Sequence, residues 1–145
     1  MASDDRPIFH HAFTVLDLEA TRHFYGEVLG LRPGRRAHDQ RSVDYEFFGH
    51  HIVAHLLSGN DGDVHRKSVA GEKFRIKHFG LVLRWWEFER LAERLRARGV
   101  AFLVEPRVLH KGQPREETLM MLQDPSGNAI EFKAFRDIAH LFATA

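Results

Sequence analysis

Residues 8–15, Ile8-Phe-His-His-Ala-Phe-Thr-Val15, and residues 77–83, Lys77-His-Phe-Gly-Leu-Val-Leu83, are the two stretches whose reading decides the fold. Both alternate with the period of two that a half-buried β-strand requires. In the first, Phe9, His11, Phe13 and Val15 fall on one face, and Ile8, His10, Ala12 and Thr14 on the other. In the second, Phe79, Leu81 and Leu83 oppose His78, Gly80 and Val82. Each strand therefore sets an apolar face against one bearing a histidine, with a small residue two positions later.

Working outward from each strand, the same plan follows. After the first, Asp17 offers a helix N-cap, Ala20, Phe24, Val28 and Leu31 recur at helical spacing, and Gly30 reads as the C-terminal glycine. Pro33-Gly34 reads as a turn, and residues 43–48 and 51–57 as two strands joined around Gly49. After the second, Phe88, Leu91, Ala92 and Leu95 form the stripe of a helix over about 85–98, closed by Gly99. Strands are then expected at 101–104, 117–122 and 129–135, the last two joined by the turn Asp124-Pro-Ser-Gly127. Each half is thus a βαβββ module. The expectation is a single α+β domain with a first module over about 8–57, a Gly-, Asp-, Lys- and Ser-rich linker over 58–73, a second module over about 74–136 and a tail over 137–145. One helix covers one face of a four-stranded sheet. Two such modules are expected to pair their other faces into a curved, partly closed mixed-sheet barrel with flanking helices and an internal cavity.

Composition narrows the function classes. At 145 residues the chain can bury a sizeable core, and without cysteine it forms no disulfide, thiolate metal site or cysteine nucleophile. The polar start Met1-Ala-Ser-Asp-Asp has no apolar stretch behind it, and no run approaches a membrane span. A cytoplasmic address is expected. With 21 Lys and Arg against 20 Asp and Glu, the formal charge of +1 selects neither nucleic acid nor membrane. The basic cluster Arg32-Pro-Gly-Arg-Arg36 reads as a solvated turn. Eleven histidines are an excess, and histidine is the commonest metal ligand.

Strand parity selects among them. His10 and His78 lie on the faces turned away from the helices, and Glu131 projects opposite Ile130 and Phe132. His55 opposes Ala54 and Leu56, and His51 shares its parity. Taken singly, each is as well explained by an ordinary strand histidine or a rim charge. Three in one repeated frame point to a metal site: two imidazoles and one carboxylate form the facial triad that suits Fe(II) and leaves positions open. A lone buried glutamate is costly, and one on a cation is satisfied.

The opening His10-His-Ala-Phe-Thr-Val-Leu-Asp-Leu18 with Phe24-Tyr-Gly-Glu-Val-Leu-Gly30, and the ending Leu122-Gln-Asp-Pro-Ser-Gly-Asn-Ala-Ile-Glu-Phe132, resemble the vicinal-oxygen-chelate superfamily. It includes glyoxalase I, fosfomycin- and bleomycin-resistance proteins and type I extradiol dioxygenases. The resemblance covers about residues 8–136 and implies His10, His78 and Glu131 as ligands of one divalent ion: Fe(II) first, with Mn, Ni or Zn also compatible. It matches His55 to a position that holds a ligand glutamate in glyoxalase I and a histidine acting as acid/base in the ring-cleaving enzymes. Both a ligand and a non-ligand role are compatible with parity. It also implies a catalytic, substrate-contacting His110. Two departures stand out: Met121 occupies a place where the dioxygenases usually carry tyrosine, and many of those enzymes have two such domains.

Lys133 shares the face of Glu131 and is a candidate for orienting an anionic substrate, although a rim lysine explains it as well. The expected function is an extradiol-type dioxygenase acting on a catechol-like vicinal diol. A glyoxalase-like isomerase or lyase, or a resistance protein that sequesters a small molecule, is the alternative. The partner is a small-molecule substrate, without nucleic acid or membrane. The expected assembly is a homodimer, with Trp85 and Trp86 as contacts and each site either within one chain or between swapped chains.

Overall fold

The computed structural model describes residues 6–34, 40–58, 61–71 and 76–144. The acidic start Met1–Asp5, Arg35 and Arg36 of the basic cluster, and His38 lie outside them. The chain divides into two compact units, residues 1–66 and 67–145.

The first unit contains β1 (His10–Val15), α1 (Leu18–Arg22), β2 (Arg32–Pro33), β3 (Ser42–Phe47) and β4 (His50–Leu56). Its mixed sheet runs β1-β4-β3-β2, with β1 parallel to β4 and the other neighbours antiparallel. Asp17 caps α1, its side chain accepting from Ala20 N at 2.9 Å. Beyond Arg22 the helix widens into a π-helical stretch, His23–Val28, in which Leu29 N donates to Phe24 O at 2.9 Å. Phe24, Tyr25 and Val28 are all buried there. The wider turn carries the buried neighbours Phe24 and Tyr25, whose rings meet edge to face at 5.0 Å. Tyr25 stacks on Tyr45 at 5.6 Å, and Val15, Ile52 and Ala54 complete the core.

Pro33, expected in a turn, instead ends a two-residue strand paired with Tyr45, and Gly34 N donates to Asp44 O at 2.7 Å. Proline is tolerated because this strand is the sheet edge. The segment read as a linker carries α2 (Asp61–Val69). Its described buried residue is His65, which meets the Thr14 hydroxyl through Nδ1. A polar anchor of this kind is invisible to a search for an apolar stripe.

The second unit repeats the plan with β5 (His78–Leu83), α3 (Trp85–Ala97), β6 (Phe102–Leu109), β7 (Glu117–Gln123) and β8 (Ala129–Phe135), in the order β5-β8-β7-β6. β5 and β8 are parallel, as β1 and β4 are. Phe88, Leu91, Ala92 and Leu95 are buried along α3 as its stripe requires. Met120, Leu122, Ile130, Phe132 and Ala134 form the buried sheet face. β6 extends five residues beyond the expected 101–104 because register shifts between Phe102 and Arg107 let it pass Pro106 on an edge. A 3₁₀ turn, Ile138–Phe142, begins the tail.

Both sheets are open, four-stranded and mixed, so the βαβββ duplication and the α+β class hold. Among the described residues no helix is long and apolar enough to cross a membrane.

Candidate metal centre

In the second unit the turn after β7 sets the site. Asp124 is buried, and its Oδ1 accepts from Ser126 N and Asn128 N at 2.9 Å each while Oδ2 accepts from Asn128 Nδ2 at 2.9 Å. Gly127 supplies the positive φ of 90° that the turn needs. This closed turn starts β8 at Ala129, opposite His78, and aligns Glu131 with Gly80.

Gly80 has a role that parity did not suggest. A Cβ added there would overlap the Glu131 carbonyl oxygen and lie 2.6 Å from its carbon. The glycine lets β5 and β8 approach, rather than merely leaving room for an ion.

His78 Nε2 and Glu131 Oε2 then stand 3.0 Å apart, both part-buried. His78 Nδ1 lies 2.7 Å from Ile76 O. A carbonyl oxygen only accepts, so Nδ1 carries the proton, and in the neutral ring Nε2 presents a lone pair. That lone pair faces a carboxylate, itself an acceptor. Two acceptors at this distance require a cation between or beside them, either a proton or a metal. Donors each about 2.1 Å from a metal at a right angle stand about 3.0 Å apart, so the observed spacing fits neighbouring ligands.

In the first unit, His10 sits opposite His51 in the parallel register, and their Nδ1 atoms are 2.9 Å apart with rings tilted by 22°. His51 Nε2 reaches Asp44 Oδ2 at 3.2 Å. Asp44 and His51 were not among the expected site residues; only the parity of His51 had marked it. Among the described residues no group of three His, Asp or Glu side chains forms a ready-made metal cluster, so the donors come as pairs.

His55 lies opposite Thr14, four residues along β4 from His51, and is exposed. At about 3.3 Å per residue that is about 13 Å from the His10 rung, too far for one hydrogen bond or one water to link them. The register also shows which residue stands opposite Ala12 as Glu131 stands opposite Gly80. His10 pairs with His51 and His78 with Ala129, so counting two onward places Val53 where Glu131 stands in the second module. The mirror position is an apolar valine.

His110 follows β6 in a left-handed conformation, φ 54°, at the Glu117 end of its sheet, four residues along β7 from the Met121–Glu131 rung. Lys133 is held within its own sheet: Nζ is 3.5 Å from Glu117 Oε2 and 5.6 Å from the Phe135 ring. Beside these charges, Ile76, Val104, Leu119, Met121 and Ala129 form an apolar cluster.

A family model described as the Glyoxalase/Bleomycin resistance protein/Dioxygenase superfamily matches residues 8–132. The chain belongs to this superfamily. Members of the glyoxalase/bleomycin resistance protein/dioxygenase superfamily typically use a divalent metal, which agrees with the donor types at His78 and Glu131. Among solved structures, a glyoxalase/bleomycin resistance protein/dioxygenase from Alicyclobacillus acidocaldarius aligns at a TM-score of 0.78 and 26% identity, covering 97% of this chain and 99% of that one. A glyoxalase/dioxygenase from Nostoc punctiforme gives 0.65 and 19%, covering 94% and 96%. The fosfomycin resistance protein FosX from Listeria monocytogenes gives 0.63 and 16%, covering 89% and 93%. The last two share the superfamily fold. No curated protein matches the chain at a significant level.

Proposed function

We propose that this superfamily member is a divalent-metal-dependent enzyme in which His10, His78 and Glu131 hold one cation, and that it acts on a small substrate with vicinal oxygens. The most specific form of the proposal is an extradiol-type, ring-cleaving dioxygenase of catechol-like diols. The observation that carries it is the His78–Glu131 pair, an imidazole and a carboxylate held 3.0 Å apart, the spacing of neighbouring ligands on one ion. His10 stands on the corresponding rung of the first module; with it the proposed donor set is two histidines and one carboxylate, which suits Fe(II). When bound, such a cation supplies positive charge that stabilises a deprotonated, chelating diol.

Val53 favours this form over a glyoxalase-like isomerase. A carboxylate at that position would add a fourth protein ligand, whereas valine leaves the donor set at three and positions open for a bidentate substrate. The protein's own contribution is to fix the donors: the Asp124 turn aligns Glu131, and the Ile76 carbonyl holds the His78 ring. His55 and His110, both about 13 Å along their sheets from the ligand rungs, are suited to distal parts of a substrate, not to its chelating oxygens.

The test begins with protein purified anaerobically and loaded with Fe(II). Wild type should bind one ion, and His10→Ala, His78→Ala and Glu131→Ala should each lose most of it. Oxygen uptake with a panel of catechols should then require the metal. Wild-type affinity in any of the three variants refutes that ligand. Metal-loaded protein that isomerises α-hydroxy carbonyls without consuming oxygen transfers the assignment to the isomerase class.

A further inference from the structure

Asp44, His51 and His10 form a chain across three strands, of which the proposed function uses only His10. Asp44 lies on β3, His51 on β4 and His10 on β1, and adjacent members meet at 3.2 Å and 2.9 Å. A carboxylate only accepts, so the His51 nitrogen that meets it, Nε2, carries a proton. Neutral His51 then presents a bare Nδ1. The atom facing that lone pair is His10 Nδ1, which must donate. His10 is thereby left with its proton on Nδ1 and its lone pair on Nε2. The Asp44 carboxylate is the only group of the three that cannot exchange donor for acceptor.

The second module reaches the same end by a shorter route. There the Ile76 carbonyl holds the proton on His78 Nδ1 and leaves Nε2 as the donor atom to a cation. The two modules present corresponding histidines on corresponding faces, with the same nitrogen made available by different devices.

We propose that His51, anchored by Asp44, is a positioning residue that sets His10 in the Nδ1–H tautomer and so makes Nε2 its metal-ligating atom. The metal-binding half of this statement rests on the reading of His10 as a ligand; the tautomer half does not. Partners that orient a ligating histidine typically change metal affinity by about 10–100-fold when removed. A direct field from Asp44 on a cation predicts a different pattern from an effect passed through His51, so double variants discriminate between them.

The experiment uses the full chain labelled with ¹⁵N. Long-range ¹H–¹⁵N correlation on metal-free protein, at alkaline pH where the imidazoles are neutral, reports which nitrogen of His10 carries the proton. Wild type should show a protonated Nδ1. Asp44→Asn, whose amide can donate as well as accept, and His51→Ala should each shift His10 toward Nε2–H. His51→Asn, with a carbonyl able to accept from His10, should restore the wild-type tautomer. In Ni(II) titrations Asp44→Asn and His51→Ala should each weaken binding about 10–100-fold, and Asp44→Asn should add nothing in the His51→Ala background. A wild-type His10 protonated on Nε2, a tautomer unchanged in both single variants, or additive losses in the double variant overturns the proposal. A correct tautomer pattern with Ni(II) binding indifferent to His10→Ala refutes the ligand reading and leaves the tautomer assignment standing.

Discussion

Gly80→Ala places one methyl group where the structure has no room for it. The added Cβ would lie 2.6 Å from the Glu131 carbonyl carbon and overlap its oxygen. Carbon atoms pack best at about 3.5–4.0 Å, so β5 and β8 must separate by about 1 Å or more at this rung. Parallel strands stand about 4.8 Å apart, and an opening of that size breaks the ladder hydrogen bonds on either side of Gly80. Two bonds at about 1 kcal/mol each, with about 1–3 kcal/mol of overpacking strain, give a loss of about 3–5 kcal/mol. For a chain of this length that lowers Tm by about 10–15 °C. The same opening moves His78 relative to Glu131, so metal affinity should fall with stability. Thermal unfolding followed by circular dichroism measures the first effect, and Ni(II) titration at a temperature where the variant is folded measures the second. Ala12 supplies the control, because the corresponding rung of the first sheet already carries a methyl group opposite Val53. Ala12→Gly should cost no more than about 1 kcal/mol. A Gly80→Ala protein with a Tm within 2 °C of wild type, or with undiminished metal affinity, on the order of experimental error by comparison with the shift above, refutes the close-approach argument.

The turn that starts β8 yields a second expectation: Asp124→Ala strips acceptors from two backbone N–H groups and the Asn128 amide, all buried, and should destabilise the protein by about 2–5 kcal/mol in urea unfolding. Asp124→Asn should recover part of that, and equal stability of all three proteins would remove Asp124 as the organiser of the turn. The assembly expectation is a homodimer. Trp85 is engaged within its own unit, with the Arg136 guanidinium 3.6 Å from its ring, whereas Trp86 is 51% exposed, so Trp86 is the stronger contact candidate. Light scattering should give twice the chain mass, and 16.8 kDa at every concentration excludes the dimer.

Much of the architecture is legible in the sequence. Alternation at 8–15 and 77–83, the helical stripe from Phe88 to Leu95 and the Asp-Pro-Ser-Gly turn are local patterns, and each yielded the element expected. The misses share a cause. Pro106 reads as a strand terminator until an edge position and a bulge accommodate it, and α2 hides because its described buried residue is a histidine. His23–Val28 carries the apolar spacing of a regular helix, and only the backbone hydrogen bonding shows that the turn widens.

The candidate site divides along the same line. By itself the sequence determined which face of each strand a side chain occupies, because side-chain parity is a property of one strand. It thereby reduced eleven histidines and twenty acidic residues to a few candidates, among which the family resemblance singled out His10, His78 and Glu131. Only the tertiary structure decided register, which depends on how strands distant in sequence slide against one another. Register put His51 beside His10, moved His55 four residues away, and set Val53 at the place corresponding to Glu131. It also brought the Gly80 and Glu131 backbones together and His78 Nδ1 to the Ile76 carbonyl. A two-residue slide along a strand preserves every facing pattern that a sequence displays, yet exchanges every neighbour. Parity could therefore name candidate residues, and only pairing could say which of them touch.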